Sequence, residues 1–431
     1  MGDMRSYACR WPGKQAREAL MCRRLPRALQ VLLLSVSMLA TAMLLGVGPA
    51  LGSPQAAGSG AGAGVPPVEV LRLQETAVFA SPAPSAYRSG SRCDSDGNAF
   101  VQLASLAGAP AHVVPSSSVS EIIPDEKRIL VYGEAQLSSS DYPNSMLQDF
   151  SVLPNGTLYA LIVTRQDAPR RGSRPDPQYY IERFNDDGTS DSITPIQAPP
   201  GAAHWFADLL GVFLNGNFLI VGSSTASAER PDADSWGPFT AVYGPSGRFV
   251  SKVTLPGDVA SKFDESRAGR PAASAEAAAQ PSSAQASKPH QYFEVAITTG
   301  GIVDGPDGNV WMLRASDPIR LYAIDSGGRV AKHFEFSAPA PGLAPSGFGF
   351  ANSVEIFFDF DHIAGSPSSP SGASSLLGVF DTLSSHFENL YSLPDTEKGF
   401  RNLACSDGKG GFLYLGDTPD RHLAVFDYAY R

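Results

Sequence analysis

The chain has 431 residues, 42 of them Gly and 35 Pro, with 18% charged side chains and a formal net charge of −10. So few charges beside so much Gly and Pro argue against a coiled coil or helical bundle. They indicate a turn-rich β protein, long enough to bury its core without metals or a disulfide framework. An acidic surface also repels phosphate backbones, which makes nucleic acid an unsuitable partner.

Residues 1–52 read as a secretory signal peptide. Seven basic residues (Arg5, Arg10, Lys14, Arg17, Arg23, Arg24 and Arg27) precede an apolar run from Val31 to Val47, and Ala50-Leu51-Gly52 supplies a small-residue cleavage site. The run is nearly long enough to span a bilayer, so an uncleaved anchor is the competing reading. Cleavage would remove seven basic and two acidic residues and take the net charge from −10 to −15. It would leave two cysteines, Cys93 and Cys405, with no CxxC or zinc spacing. The expected compartment is the periplasm or the exterior. Residues 53–67, rich in Gly, Ala and Pro, read as a flexible tether.

From residue 68 onward one pattern recurs: a Gly turn followed by an apolar strand. It appears at Asp96-Gly97, Asn155-Gly156, Asn215-Gly216, Asp307-Gly308 and Asp407-Gly408. These dipeptides suit a two-residue primed hairpin, in which both central residues take φ > 0. A second hairpin follows in most units, as in Tyr180–Phe184, Asp187-Gly188 and Ser192–Ile196. Each unit therefore reads as four antiparallel strands, A to D, which is a propeller blade. A fifth unit near Asn352 lacks the glycine. The stretch from Ala260 to Pro289, rich in Ala, Ser, Gln and Pro, reads as a disordered insert.

In the first unit, Ala111–Val114 and Val119–Ile123 are the expected C and D strands, which leaves Ile129–Tyr132 over, with a seventh, irregular blade as its alternative place. The last unit stops at C, so Val68–Leu73 is expected to supply its D strand and close the ring without an exposed sheet edge. The expected fold class is thus all-β: a six-bladed β-propeller of four-stranded antiparallel blades over residues 68–431, its last blade closed by an N-terminal strand.

The turns and the Leu/Ile-Tyr-x-Phe-Asp-like C strands resemble six-bladed propellers of the NHL-repeat and gluconolactonase-like superfamily. That resemblance implies a fold, and in the gluconolactonase-like enzymes it also implies a Glu, Asn and Asp around a divalent cation in the channel. No Glu stands on an inner strand here, which departs from that pattern. Asp149, Asp208, Asp304 and Asn402 are the oxygen ligands that could converge on Ca²⁺; no cofactor is otherwise expected. The His residues do not cluster, and no GxSxG is present.

A rim of aromatic and charged residues is expected where the D-to-A loops ring the channel mouth. Arg92, Asp149, His204, Trp205, Asp208, Asp304 and Arg401 are the candidate ligand-binding residues; the alternative for Trp205 and Phe206 is ordinary packing between blades. Cys93 lies seven residues before Phe100, and Cys405 seven before Phe412, so the two occupy equivalent positions in the first and last blades and are a candidate disulfide. The functional reading is a secreted, monomeric, non-enzymatic binding or scaffold propeller that engages a protein, peptide or glycan. The alternative is a metal-dependent hydrolase or lyase of gluconolactonase-like type.

Overall fold

The computed structural model describes residues 67–74 (except 71), 85–105, 117–132 (except 127), 145–164, 177–226, 236–257, 299–362 (except 316 and 317), 375–392, 401–406, 411–417 and 423–429. The signal segment, the tether, the Ala260–Pro289 insert and Ala111–Val114 lie outside the described residues. No described helix is long and apolar enough to cross a membrane.

The chain is a β-propeller of antiparallel four-stranded blades. Two short strands come first, β1 (Val68–Val70) and β2 (Arg72–Gln74). The first sheet follows as β3 (Ser85–Cys93), β4 (Ala99–Ser105), β5 (Ser117–Ile123) and β6 (Arg128–Tyr132). The second is β7 (Ser145–Val152), β8 (Leu158–Thr164), β9 (Gln178–Phe184) and β10 (Ser190–Ile196). The third is β11 (His204–Val212), β12 (Phe218–Thr225), β13 (Gly237–Tyr243) and β14 (Phe249–Lys252). The fourth is β15 (Thr299–Asp304), β16 (Val310–Arg314), β17 (Ile319–Ile324) and β18 (Val330–Phe336). Then come β19 (Leu343–Phe350), β20 (Glu355–His362), β21 (Ser375–Asp381) and β22 (His386–Ser392), with β1 added in parallel to β22 as a fifth strand. The last sheet is β23 (Arg401–Ser406), β24 (Gly411–Asp417) and β25 (Leu423–Ala429), with β2 antiparallel to β25.

Two expectations are corrected here. Ile129–Tyr132 belongs to β6, the D strand of the first sheet, and Val119–Ile123 is its C strand; no irregular extra blade is needed to hold it. The N-terminal stretch is not one D strand either. It divides at residue 71, so that Val68–Val70 lies on the fifth sheet and Arg72–Gln74 on the sixth.

Strands second from the axis read as almost continuous apolar runs because each sheet is covered on both faces. In Val310–Arg314, for instance, all five residues are buried. Separate cores fill the spaces between neighbouring sheets. Phe100, Tyr132 and Phe150 pack the first against the second, and Trp205, Tyr179 and Phe239 the second against the third. Val221, Val310 and Met312 join the third to the fourth, and Trp311, Phe358 and Phe380 the fourth to the fifth. Phe357 and Phe412 join the fifth to the sixth, and Val101, Cys405 and Leu413 the sixth to the first.

The recurring turn is not the primed hairpin. Gly97, Gly156, Gly216 and Gly308 have φ of 78–84°, but the Asp or Asn before each does not have positive φ. Gly156 N donates to Leu153 O and Leu153 N to Thr157 O, and the same pair of bonds recurs at Phe213–Asn217 and Gly305–Asn309. This is a type I turn closed by a left-handed glycine, and Asn or Asp serves through its side chain: Asn155 Oδ1 accepts from Thr157 N and Asp307 Oδ1 from Asn309 N.

Candidate functional site: an axial cup

The innermost strands are β3, β7, β11, β15, β19 and β23, and each carries a β-bulge where its pairing to the next strand slips. The slip falls at Gln148 in β7, Asp208 in β11, Gly300 in β15, Ser346 in β19 and Ala404 in β23. In β7, β11, β15 and β19 it follows the fourth residue pair from the A–B turn, so these bulges share one level along the axis. A bulge re-aims side chains and twists its strand. Below this level, toward the turns, Arg92, Asp149, Leu210, Ile302 and Phe348 are buried. At the level itself, Gln148 and Ser346 are exposed and Asp208 half-buried.

The buried layer is a floor. Arg92 Nη2 lies 3.6 Å from Asp149 Oδ1, Arg92 Nη1 donates to Ser91 O at 3.0 Å, and the guanidinium sits 5.6 Å from the Phe150 ring centroid. Asp149 Oδ2 accepts from Leu210 N at 2.8 Å, and Asp304 Oδ1 accepts from Val212 N at 3.0 Å. Ser151 Oγ donates to Asp304 Oδ2, joining β7 to β15 past the intervening β11. The inner edge of β11 has no partner strand, and a buried amide left unpaired would be destabilising. Carboxylates from both neighbouring sheets satisfy two of its amides.

Burial dominates the titration of these acids. Asp304 is pushed up to about 7, against the opposing pull of the Ser151 hydroxyl and the Val212 amide. Asp149 is raised by the same cause despite Arg92. Asp208 rises to about 6 through burial and the nearby Asp149, and its Oδ2 is buried with no hydrogen-bond donor among the described residues.

The D-to-A ends of the inner strands lie on the other side of the bulges. Trp205 and Ala207 belong to the core against the second sheet, which puts Phe206 and Asp208 on the opposite face of β11. Phe206 is 36% exposed and stacks on Trp236, with ring centroids 5.0 Å apart and planes at 29°.

The candidate residues thus separate. Arg92, Asp149 and Asp304 come together as the floor, and Asp208 stands above it. Trp205 is no rim residue: it is 6% exposed, with its ring 4.5 Å from Tyr179, because a large apolar ring between two sheets gains more from burial than from solvent. His204 opens β11, half-buried, opposite Thr225, and Arg401 opens β23 opposite Gly416. Gln148, Ser346 and Trp236 did not stand out in the sequence, because a bulge leaves no mark in the apolar pattern. Among the described residues no three His, Cys, Asp or Glu form a group able to hold a metal ion.

Cys93 and Cys405 are joined as a disulfide, with Cα atoms 5.7 Å apart. Their strand positions are not equivalent, however. Cys405 directly follows its bulge, whereas Ser91 holds that place in β3 and Cys93 lies two residues nearer the turn. By pairing, Cys93 closes its A–B turn opposite Ala99, whereas Ser406 closes the last one opposite Phe412 and Cys405 lies one pair farther from the turn.

No protein-family model matches the chain, and no curated protein matches it. Many solved structures are similar in fold, three of them as follows. A protein of unknown function from Dyadobacter fermentans is 11% identical with a TM-score of 0.48, covering 84% of this chain and 99% of its own. The Penicillium chrysogenum alpha-L-arabinanase complexed with arabinobiose is 10% identical with a TM-score of 0.39, covering 84% and 98%. A protein of unknown function from Bacteroides caccae is 11% identical with a TM-score of 0.32, covering 70% and 86%.

Proposed function

We propose that this protein is a secreted, non-enzymatic binding propeller that acts as a monomer and takes its ligand at the D-to-A mouth. In this reading the sheets make a closed six-bladed ring of the NHL-like kind, with the Cys93–Cys405 bond at its inner seam and β2 on β25 at its outer seam. The observation that carries the functional reading is the division of labour along the axis. Asp149 and Asp304, the carboxylates a channel metal would need, already accept backbone amides and Ser151, while polar side chains at the bulges remain open to solvent. A carboxylate bonded to fixed amides is poorly placed to ligate a cation, which needs several free oxygens.

Calorimetry with Ca²⁺ on the wild type and on Asp149→Asn tests this. The binding reading expects no stoichiometric Ca²⁺ heat. A one-to-one heat lost in Asp149→Asn would favour a channel-metal enzyme instead.

A further inference from the structure

Resting on the mouth as the binding face, we propose that the cup takes a carbohydrate, recognised by the bulge residues and by the Phe206–Trp236 stack. The inner strands bring three side chains of different chemistry to one level: the Gln148 amide, the Asp208 carboxylate and the Ser346 hydroxyl. Gln148 offers a donor and an acceptor, and Asp208 and Ser346 each an acceptor, because Ser346 Oγ donates its one proton to Asp359 O at 3.3 Å and keeps its lone pairs. A sugar hydroxyl both donates and accepts, so a saccharide bearing many hydroxyls can serve groups presented by different sheets. The exposed Phe206 ring, backed by Trp236, offers a flat apolar surface to the C–H face of such a ring.

Other ligand classes fit less well. An anion would meet the Asp208 carboxylate, and the floor cation Arg92 is buried beneath and engaged by Asp149. A peptide recognised through its backbone needs an open strand edge, yet the inner edge of β11 is occupied by Asp149 and Asp304.

The test follows tryptophan fluorescence while the full mature chain is titrated with neutral di- to hexasaccharides and, separately, with an uncharged peptide library. The expected result is saturable quenching by at least one saccharide. Gln148→Ala and Phe206→Ala should each weaken it about fivefold to tenfold. Both side chains are solvent-facing, and circular dichroism checks that the variants fold; Asp208→Asn, which keeps shape and loses charge, is the third variant. Saturable binding by peptides alone, sensitive to the same variants, would overturn the carbohydrate assignment and leave the mouth as the binding face. Binding insensitive to all three variants, or no binding by either set, would overturn both.

Discussion

Removing the Cys93–Cys405 bond perturbs the fold at its most informative point. The bond spans 312 residues of sequence. A cross-link of that span restricts the unfolded chain, and the loop-entropy relation gives about 5.7 kcal/mol at room temperature. Measured disulfides usually contribute about 2–4 kcal/mol, so Cys93→Ala should destabilise the protein by an amount between these figures. An unfolding entropy near 2.1 cal/mol/K per residue converts about 4 kcal/mol into a fall in Tm of roughly 5 °C for a chain of this length. Differential scanning calorimetry of oxidised wild type, reduced wild type and Cys93→Ala would measure it. The wild type should fall on reduction to near the variant, and reductant should leave the variant unmoved. Equal Tm values for oxidised wild type and Cys93→Ala would refute the reasoning, since a covalent link between the first and last sheets cannot then be restraining the unfolded chain.

Further outcomes follow from the same structure. Asp304 is held at about 7 in the fold against an ordinary 3.8, so between these values the folded chain keeps a proton the unfolded chain has released. Stability should therefore be full below about pH 4 and fall as pH rises toward 7, by up to about 1.4 kcal/mol per pH unit from this group. Urea unfolding of Asp304→Asn should show a flatter profile over that window and greater stability than wild type at pH 8. Gly222→Ala should cost roughly 1–3 kcal/mol or more, because an added methyl would stand 1.9 Å from Phe206 O; a thermal melt unchanged from wild type would contradict this. Deleting residues 67–75 strips β1 from β22 and β2 from β25, and light scattering on warming should reveal earlier aggregation through the bared edges.

Much of the fold was legible because a blade repeats its punctuation. Gly97, Gly156, Gly216 and Gly308 mark the turns and the apolar runs after them mark the second strands, so β8, β12 and β16 could be placed from residues alone. The turn type was less legible: Asn-Gly and Asp-Gly serve both the primed turn and the type I turn with a left-handed glycine, and only the backbone separates them. Val68–Leu73 reads as a single strand because nothing in its alternation announces a crossing from one sheet edge to another. Asp149 and Asp304 were visible as inner-strand acids, but not their commitment to the amides of Leu210 and Val212, which depends on contacts 61 and 92 residues away. Gln148 and Ser346 were missed because a bulge changes register without changing composition. The cysteine pairing rests on counting back from Phe100 and Phe412, yet Phe412 stands in the turn-closing pair with Ser406 whereas Phe100 stands one pair farther out, opposite Arg92.

The most direct test of the central claim, that the ligand is taken at the D-to-A ends of the inner strands, is hydrogen–deuterium exchange with and without a saccharide found to bind. The account predicts slowed exchange in 145–149, 204–209 and 343–347, the mouth-side halves of β7, β11 and β19, and unchanged exchange in the turns at 153–157 and 213–217. Protection confined to those turns or to the outer strands β10, β14 and β18 would contradict it.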